Sequence, residues 1–147
     1  MSSQTDCPFC SFAEIERRMI GRNDYGMVFL TNRPITPGHI LVCPVRHIES
    51  SDELTSKELG VMHYLLRISK IALRECCGAE GFNVAWNEGE VAGQTVPHLH
   101  IHVVPRRAGD TGILGYEPRQ FLYRPGPRQE SSEDELAGVA SLLRPHF

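Results

Sequence analysis

No apolar run in the chain is longer than a few residues, so nothing in it reads as a membrane span, which needs about 20. Met1–Cys10 lacks a basic start followed by an apolar stretch, so it does not read as a secretory signal, and the expected compartment is the cytoplasm. An excess of positive charge is lacking too. The formal net charge is -3, and nucleic acid, whose non-specific binding depends on clustered Lys and Arg, is not expected as a partner. Cysteines are few and odd in number, five, which argues against a disulfide framework. What is present, 41% hydrophobic and 22% charged residues over 147 positions, has the size and balance of a single ordinary domain spanning 1–147.

Periodicity divides that length into elements. Phe12–Met19 reads as a short helix that Gly21 would end. Met27–Leu30 and Ile40–Pro44 are apolar runs separated by Asn32, Pro34, Pro37 and Gly38, which predicts an antiparallel strand pair. Thr55 and Glu58 have the spacing of a capping box ahead of a stripe of Leu59, Met62, Leu65, Leu66, Ser69, Ala72, Leu73 and Cys76, with Gly78 as the stop. Gly81–Asn87 and His98–Val104 read as further strands, the second ended by Pro105. Residues 106–130 are rich in Gly, Pro and Arg without a period, which predicts a long surface segment. Ser132 and Glu135 repeat the cap spacing before a C-terminal helix. The expected fold class is α+β: an antiparallel sheet with one long helix and a C-terminal helix.

The chemistry concentrates in P-H-L-H-I-H-V-V. In a strand, His98, His100 and His102 share one face while Leu99, Ile101 and Val103 share the other. A neutral imidazole is a good nucleophile at phosphorus near pH 7, provided an acceptor holds one ring nitrogen as N–H so that the other presents its lone pair. A neighbouring histidine can then protonate or stabilise the departing group. Directly upstream, Asn87, Gln94 and Thr95 can hydrogen-bond phosphate oxygens where glycines allow close backbone approach. Such a loop alone is more often just a turn; beside the histidines it reads as a phosphate site. Arg106, Arg107, Arg119, Arg124 and Arg128 are either solvated charge or further contacts to a small phosphorylated ligand.

A-G-Q-T-V-P-H-L-H-I-H-V-V-P together with N-R-P-I-T-P-G-H-I-L-V-C-P resembles the histidine triad superfamily, over roughly Met27 to Asp110. N-R-P, A-G-Q-T-V and P-R-R-A-G-D resemble its fragile histidine triad branch, where many phosphoramidases instead carry an Asp at the position of Thr31. The resemblance implies a nucleotide hydrolase or transferase in which His100 forms a nucleotidyl-histidine intermediate and His102 contacts phosphate or the leaving oxygen. It further implies that Gln94 and Thr95 position the phosphates, that Asn87 binds near them, and that His39 sits close to the α-phosphate or ribose. Asn32 falls near the ribose. Diadenosine polyphosphates are the implied substrates. A nucleoside phosphoramidase or a dinucleoside polyphosphate phosphorylase would use the same first step, and a non-catalytic nucleotide-binding module would better suit a chain without His100. The family also implies a homodimer paired through the long helix and the adjacent strand.

Cys7 and Cys10 have zinc-knuckle spacing, which is half of a tetrahedral site. His47 and His98 are the candidates for the other half, and some histidine triad proteins are similar in pairing an N-terminal C-x-x-C with such histidines. Four protein ligands would make the Zn²⁺ structural, leaving no open position for a catalytic water. Cys43, Cys76 and Cys77 are expected to pack as small apolar side chains, and His63 and His146 have no partner visible in sequence.

Overall fold

The computed structural model describes residues 6–110 and 130–147. Its centre is a five-stranded antiparallel sheet of β1 (Met19–Arg22), β2 (Gly26–Leu30), β3 (Ile40–Pro44), β4 (Gly81–Ala85) and β5 (Ile101–Arg106), in the order β1-β2-β3-β5-β4. The runs over β2 and β3 are continuously apolar because both faces of these strands are covered, and every residue in them is buried. Val28, Leu30, Ile40, Val42 and Val103 face α2 (Ser56–Cys77) and α3 (Glu133–Leu143). Met27, Phe29, Leu41 and Cys43 face Cys7, Phe9 and Ile15 of the N-terminal segment. The α+β architecture is the expected one.

Helix α2 starts and stops where its sequence directs. The Thr55 side chain accepts from the Glu58 N–H, the Glu58 carboxylate accepts from the Thr55 N–H, and Gly78 closes the helix in the left-handed conformation at φ 64°. The buried face differs from the expected stripe at its first turn: Leu59 is 59% exposed, whereas Glu58 is buried. Glu58 accepts two hydrogen bonds from Arg46, which hold its carboxyl down to about 2. Gly26 lets β2 approach this helix, since a Cβ there would come 2.6 Å from Leu65 Cδ1. Helix α3 is capped by Ser132 and buries Leu136, Ala140 and Leu143.

Three expected boundaries move. The Phe12–Met19 helix is only one turn, α1 (Phe12–Ile15), followed by a 3-10 turn at Glu16–Arg18, and the chain then enters β1. Gly21 lies inside that strand, where a Cβ would come 3.0 Å from the Phe147 ring, so its smallness serves packing rather than helix termination. The histidine strand begins at Ile101, three residues later than expected, because Pro44 on β3 has no N–H with which to continue the ladder; its carbonyl accepts from the His98 ring instead. Pro105 does not end β5, which runs on to Arg106. The pairing with β3 is already over at Val103, so no ladder bond to β3 is lost there, and the Pro105 carbonyl accepts from the Thr36 hydroxyl. Most of the 106–130 segment, with Arg119, Arg124 and Arg128, lies outside the described residues. No described helix is long and apolar enough to cross a membrane.

Candidate active site and metal cluster

The three histidines leave a buried turn and enter β5. His98 is fully buried, His100 is 7% exposed, and the rings of His100 and His102 lie 5.1 Å apart, so the alternation survives although the strand proper starts after His100. Backbone groups determine which nitrogen of each ring carries its hydrogen. His100 Nδ1 donates to the His98 carbonyl at 2.7 Å, which leaves Nε2 as its lone-pair nitrogen. His39 Nδ1 accepts from the Ile35 N–H at 3.0 Å, so its hydrogen is on Nε2, which donates to His102 Nδ1 at 2.9 Å. His102 then carries its hydrogen on Nε2. With both rings in their neutral forms, the arrangement sets a nucleophilic lone pair and an N–H donor side by side, as phosphoryl chemistry near pH 7 requires.

His39 reaches this position because Gly38, at φ 90°, turns the chain where an added Cβ would meet Leu73 and Cys77. The His39 ring is fully buried and stands behind His102. Phe9 was not singled out in the sequence, although it lies between the two cysteines. It packs edge-on against Phe29, His98 and His100 with centroids at 5.0, 5.9 and 5.3 Å. Thr31 was singled out only as the position at which many phosphoramidases carry an Asp. Period two from Met27 and Phe29 puts it on the histidine side of the sheet, and it is 7% exposed. Asn32, by contrast, turns its amide to Glu130 at 3.2 Å.

The upstream loop is built differently from its sequence reading. Gly89 and Gly93, both at positive φ, flank a 3-10 turn at Glu90–Ala92. The N–H groups of Gly89, Ala92, Gly93 and Gln94 are all spent within the loop. The Gln94 amide joins the Gly89 N–H to the Glu49 carbonyl, and the Asn87 amide reaches the Gly93 carbonyl at 3.4 Å. Thr95 is exposed. The glycines thus shape the loop rather than bring bare backbone to a ligand. Arg106 is paired bidentately with Asp110 and also reaches Asn83, which neutralises it locally.

On the other side of His98 lies a second cluster. Cys7, Cys10, His47 and His98 bring their ligand atoms within 4.8 Å of one another and can hold a metal ion. His98 Nε2 donates to the Pro44 carbonyl at 2.8 Å, so its Nδ1 lone pair faces Cys7 and Cys10 at 3.4 and 3.5 Å. His47 Nδ1 is 3.3 Å from Cys10, while its buried Nε2 has no hydrogen-bond partner among the described residues. Burial lowers His98 to about 4 and keeps it neutral. Burial, followed by the neighbouring Cys7 thiol, raises Cys10 to about 11, so the protein alone does not favour thiolate there; a dication reverses that preference. All five cysteines are free thiols. Cys43 is buried, and His146 finds Glu75 at 2.7 Å with Cys76 at 3.7 Å, a contact invisible in sequence.

The HIT domain family model matches residues 13–109, which span both the histidine strand and His39. The chain belongs to the HIT family. A bifunctional bis(5'-adenosyl)-triphosphatase/adenylylsulfatase of Arabidopsis thaliana is 40% identical to this HIT protein over 133 residues, covering 84% of this chain and 73% of the relative. An uncharacterised HIT-like protein of Saccharolobus solfataricus is 33% identical over 139 residues, 93% of this chain and 94% of the relative. Among solved structures, a zinc-bound histidine triad family protein from Mycobacterium smegmatis superposes with a TM-score of 0.76 at 28% identity, over 98% of this chain and 94% of that one. With hydrolases of the family at this distance over most of its length, this HIT protein is an enzyme of the same class.

Proposed function

We propose that this HIT protein splits nucleotide-containing phosphoanhydrides, diadenosine polyphosphates first among them, through a nucleotidyl intermediate on His100. The observation that carries the reading is the hydrogen order of the rings: a lone pair at His100 Nε2, set by the His98 carbonyl, beside an N–H at His102 Nε2, set by the His39 ring that the Ile35 N–H orients. In the first step His100 Nε2 forms a bond to the α-phosphorus as the bond to the leaving phosphate oxygen breaks, and His102 Nε2–H donates to that oxygen. Water then attacks the phosphorus and releases a proton to solvent, the N–P bond breaks with its electron pair returning to His100 Nε2, and a nucleotide leaves. His39 acts through His102. By the family resemblance, Gln94 and Thr95 would position the phosphates, Asn87 would bind near them and Asn32 would lie near the ribose. The adenine preference rests on similarity to bis(5'-adenosyl)-triphosphatases of Dictyostelium discoideum and Arabidopsis thaliana. Product analysis tests it: diadenosine tri- or tetraphosphate is cleaved to two nucleotides at a rate far above that of adenosine phosphoramidate. Preferred cleavage of the phosphoramidate, or a need for added phosphate as acceptor, would move the enzyme to the other activities considered above.

Cys7, Cys10, His47 and His98 fit zinc. A tetrahedral zinc with sulfur and nitrogen ligands sets S···N edges at about 3.5 Å, and the three such contacts here are 3.3, 3.4 and 3.5 Å. With all four positions taken by protein, the ion supplies a structural link between the N-terminal segment and the histidine turn. The reading also includes a homodimer. β4 is an outer strand of the sheet, and Val84, Trp86, Leu59 and Tyr64 on or beside β4 and α2 are 40%, 45%, 59% and 58% exposed. Sedimentation at micromolar concentration should give twice the chain mass, and a monomer throughout would reject the dimer. Cytoplasmic residence accords with five free thiols.

A further inference from the structure

Glu88 is the odd residue of the phosphate loop. A carboxylate beside Asn87 would repel the ligand the loop is meant to receive. It is instead turned onto the segment that follows His47. Its oxygens accept from Ser50 Oγ at 2.5 Å, the Ser51 N–H at 2.6 Å, Ser51 Oγ at 3.0 Å and the Trp86 indole N–H at 3.1 Å. Ser50 foremost holds the carboxyl down to about 2, so it is ionised at neutral pH.

The same short segment carries two other anchors. The Ile48 carbonyl accepts from the Leu99 N–H at 2.7 Å, immediately before His100, and the Glu49 carbonyl accepts from Gln94 at 3.0 Å. Four consecutive residues, Ile48 to Ser51, therefore hold both the strand entry that carries the nucleophile and the loop that precedes it in the chain. The loop is fastened at two places, Gln94 and Glu88.

We propose that Glu88 is a positioning residue for the phosphoryl transfer: by clamping the loop to Ser50 and Ser51 it sets the distance between the loop's side-chain donors and His100. This rests on the activity proposed above. Charge-assisted bonds of this kind are the stronger sort, and displacing a binding element by about 1 Å costs as much as 10²-fold in rate.

Steady-state kinetics on diadenosine triphosphate, AMP binding and tryptophan emission test it, since Trp86 is the only tryptophan in the chain. Glu88→Ala should lower kcat/KM about thirtyfold, mostly through kcat, with a melting midpoint within about 3 °C of wild type. Trp86 emission should shift as the indole loses its acceptor. Glu88→Gln, which keeps one carbonyl acceptor, should fall between the two; being near-isosteric, it decides the matter should the alanine variant melt early. A kcat/KM within about twofold of wild type, with the emission shift present, would overturn the clamp. Should the wild type cleave none of the substrates, the proposed activity fails by itself. The clamp is then judged on AMP alone, which should bind Glu88→Ala about threefold more weakly than wild type; equal affinity overturns it.

Discussion

Replacing His100 by Asn should abolish turnover, by about three orders of magnitude or more in kcat, while leaving the affinity for AMP within about threefold. The split follows from where the ring sits. Its Nδ1–H is committed to the His98 carbonyl at 2.7 Å, and its edge packs against Phe9 at 5.3 Å. Asn has an amide N–H that can reach the same carbonyl and fills part of the same space, so the turn keeps its shape. What Asn lacks is a nitrogen lone pair able to bond to phosphorus, and no neighbour replaces it, because His102 presents a hydrogen rather than a lone pair on Nε2. Rapid quenching of wild type with diadenosine triphosphate, followed by peptide mass spectrometry, should place one adenylyl group on the peptide containing His100 and none in the variant. An adenylyl group on any other residue, or turnover retained by His100→Asn, would remove His100 from the nucleophile's role.

Removal of the proposed zinc should have the largest effect on stability. Stripping the protein with a strong chelator, or changing Cys10 to Ser, should cost about 3 kcal/mol, roughly 10 °C in melting midpoint for a domain of this size. Without a cation, two thiols and two imidazoles remain packed together, with Cys7 2% exposed and His98 fully buried. The N-terminal segment that places Phe9 on the histidines would then lose its tether and become open to protease. Activity should fall by about tenfold, far less than for His100→Asn, since a metal in this cluster would hold His98, and His98 holds His100 only through its carbonyl. Elemental analysis should give one zinc per chain, and the cobalt-substituted form should show thiolate charge-transfer absorption. Protein purified without chelator that contains no zinc, or a Cys10→Ser variant that melts with wild type, would defeat the assignment.

Much of this is legible from short stretches of chain. Thr55, Glu58 and Gly78 mark the ends of α2 because capping chemistry is local: each group bonds to backbone within a few residues of itself. β2 and β3 are legible as apolar runs between turn residues. Gly21 misleads for the opposite reason. A glycine after a helical pattern is a stop by local rules, and only the Phe147 ring, 126 positions away, makes it a packing glycine in a strand. Leu59 and Glu58 exchange places because Arg46, outside the helix, solvates the carboxylate well enough to bury it.

The site divides along the same line. The sequence by itself determined that three imidazoles alternate with apolar residues, that a C-x-x-C stands ready for a metal, and that a loop of Gly, Asn and Gln precedes the histidines; these are properties of neighbours along one strand or turn. Only the tertiary structure decided which ring nitrogen holds each hydrogen, that His98 faces the cysteines while its carbonyl serves His100, that His39 stands behind His102, and that the loop spends its N–H groups on itself. A ring tautomer is set by whichever acceptor or donor reaches it: for His100 and His39 that group is local, the His98 carbonyl and the Ile35 N–H, but for the other two it comes from another element, 54 residues away for His98 and the Pro44 carbonyl and 63 for His102 and His39.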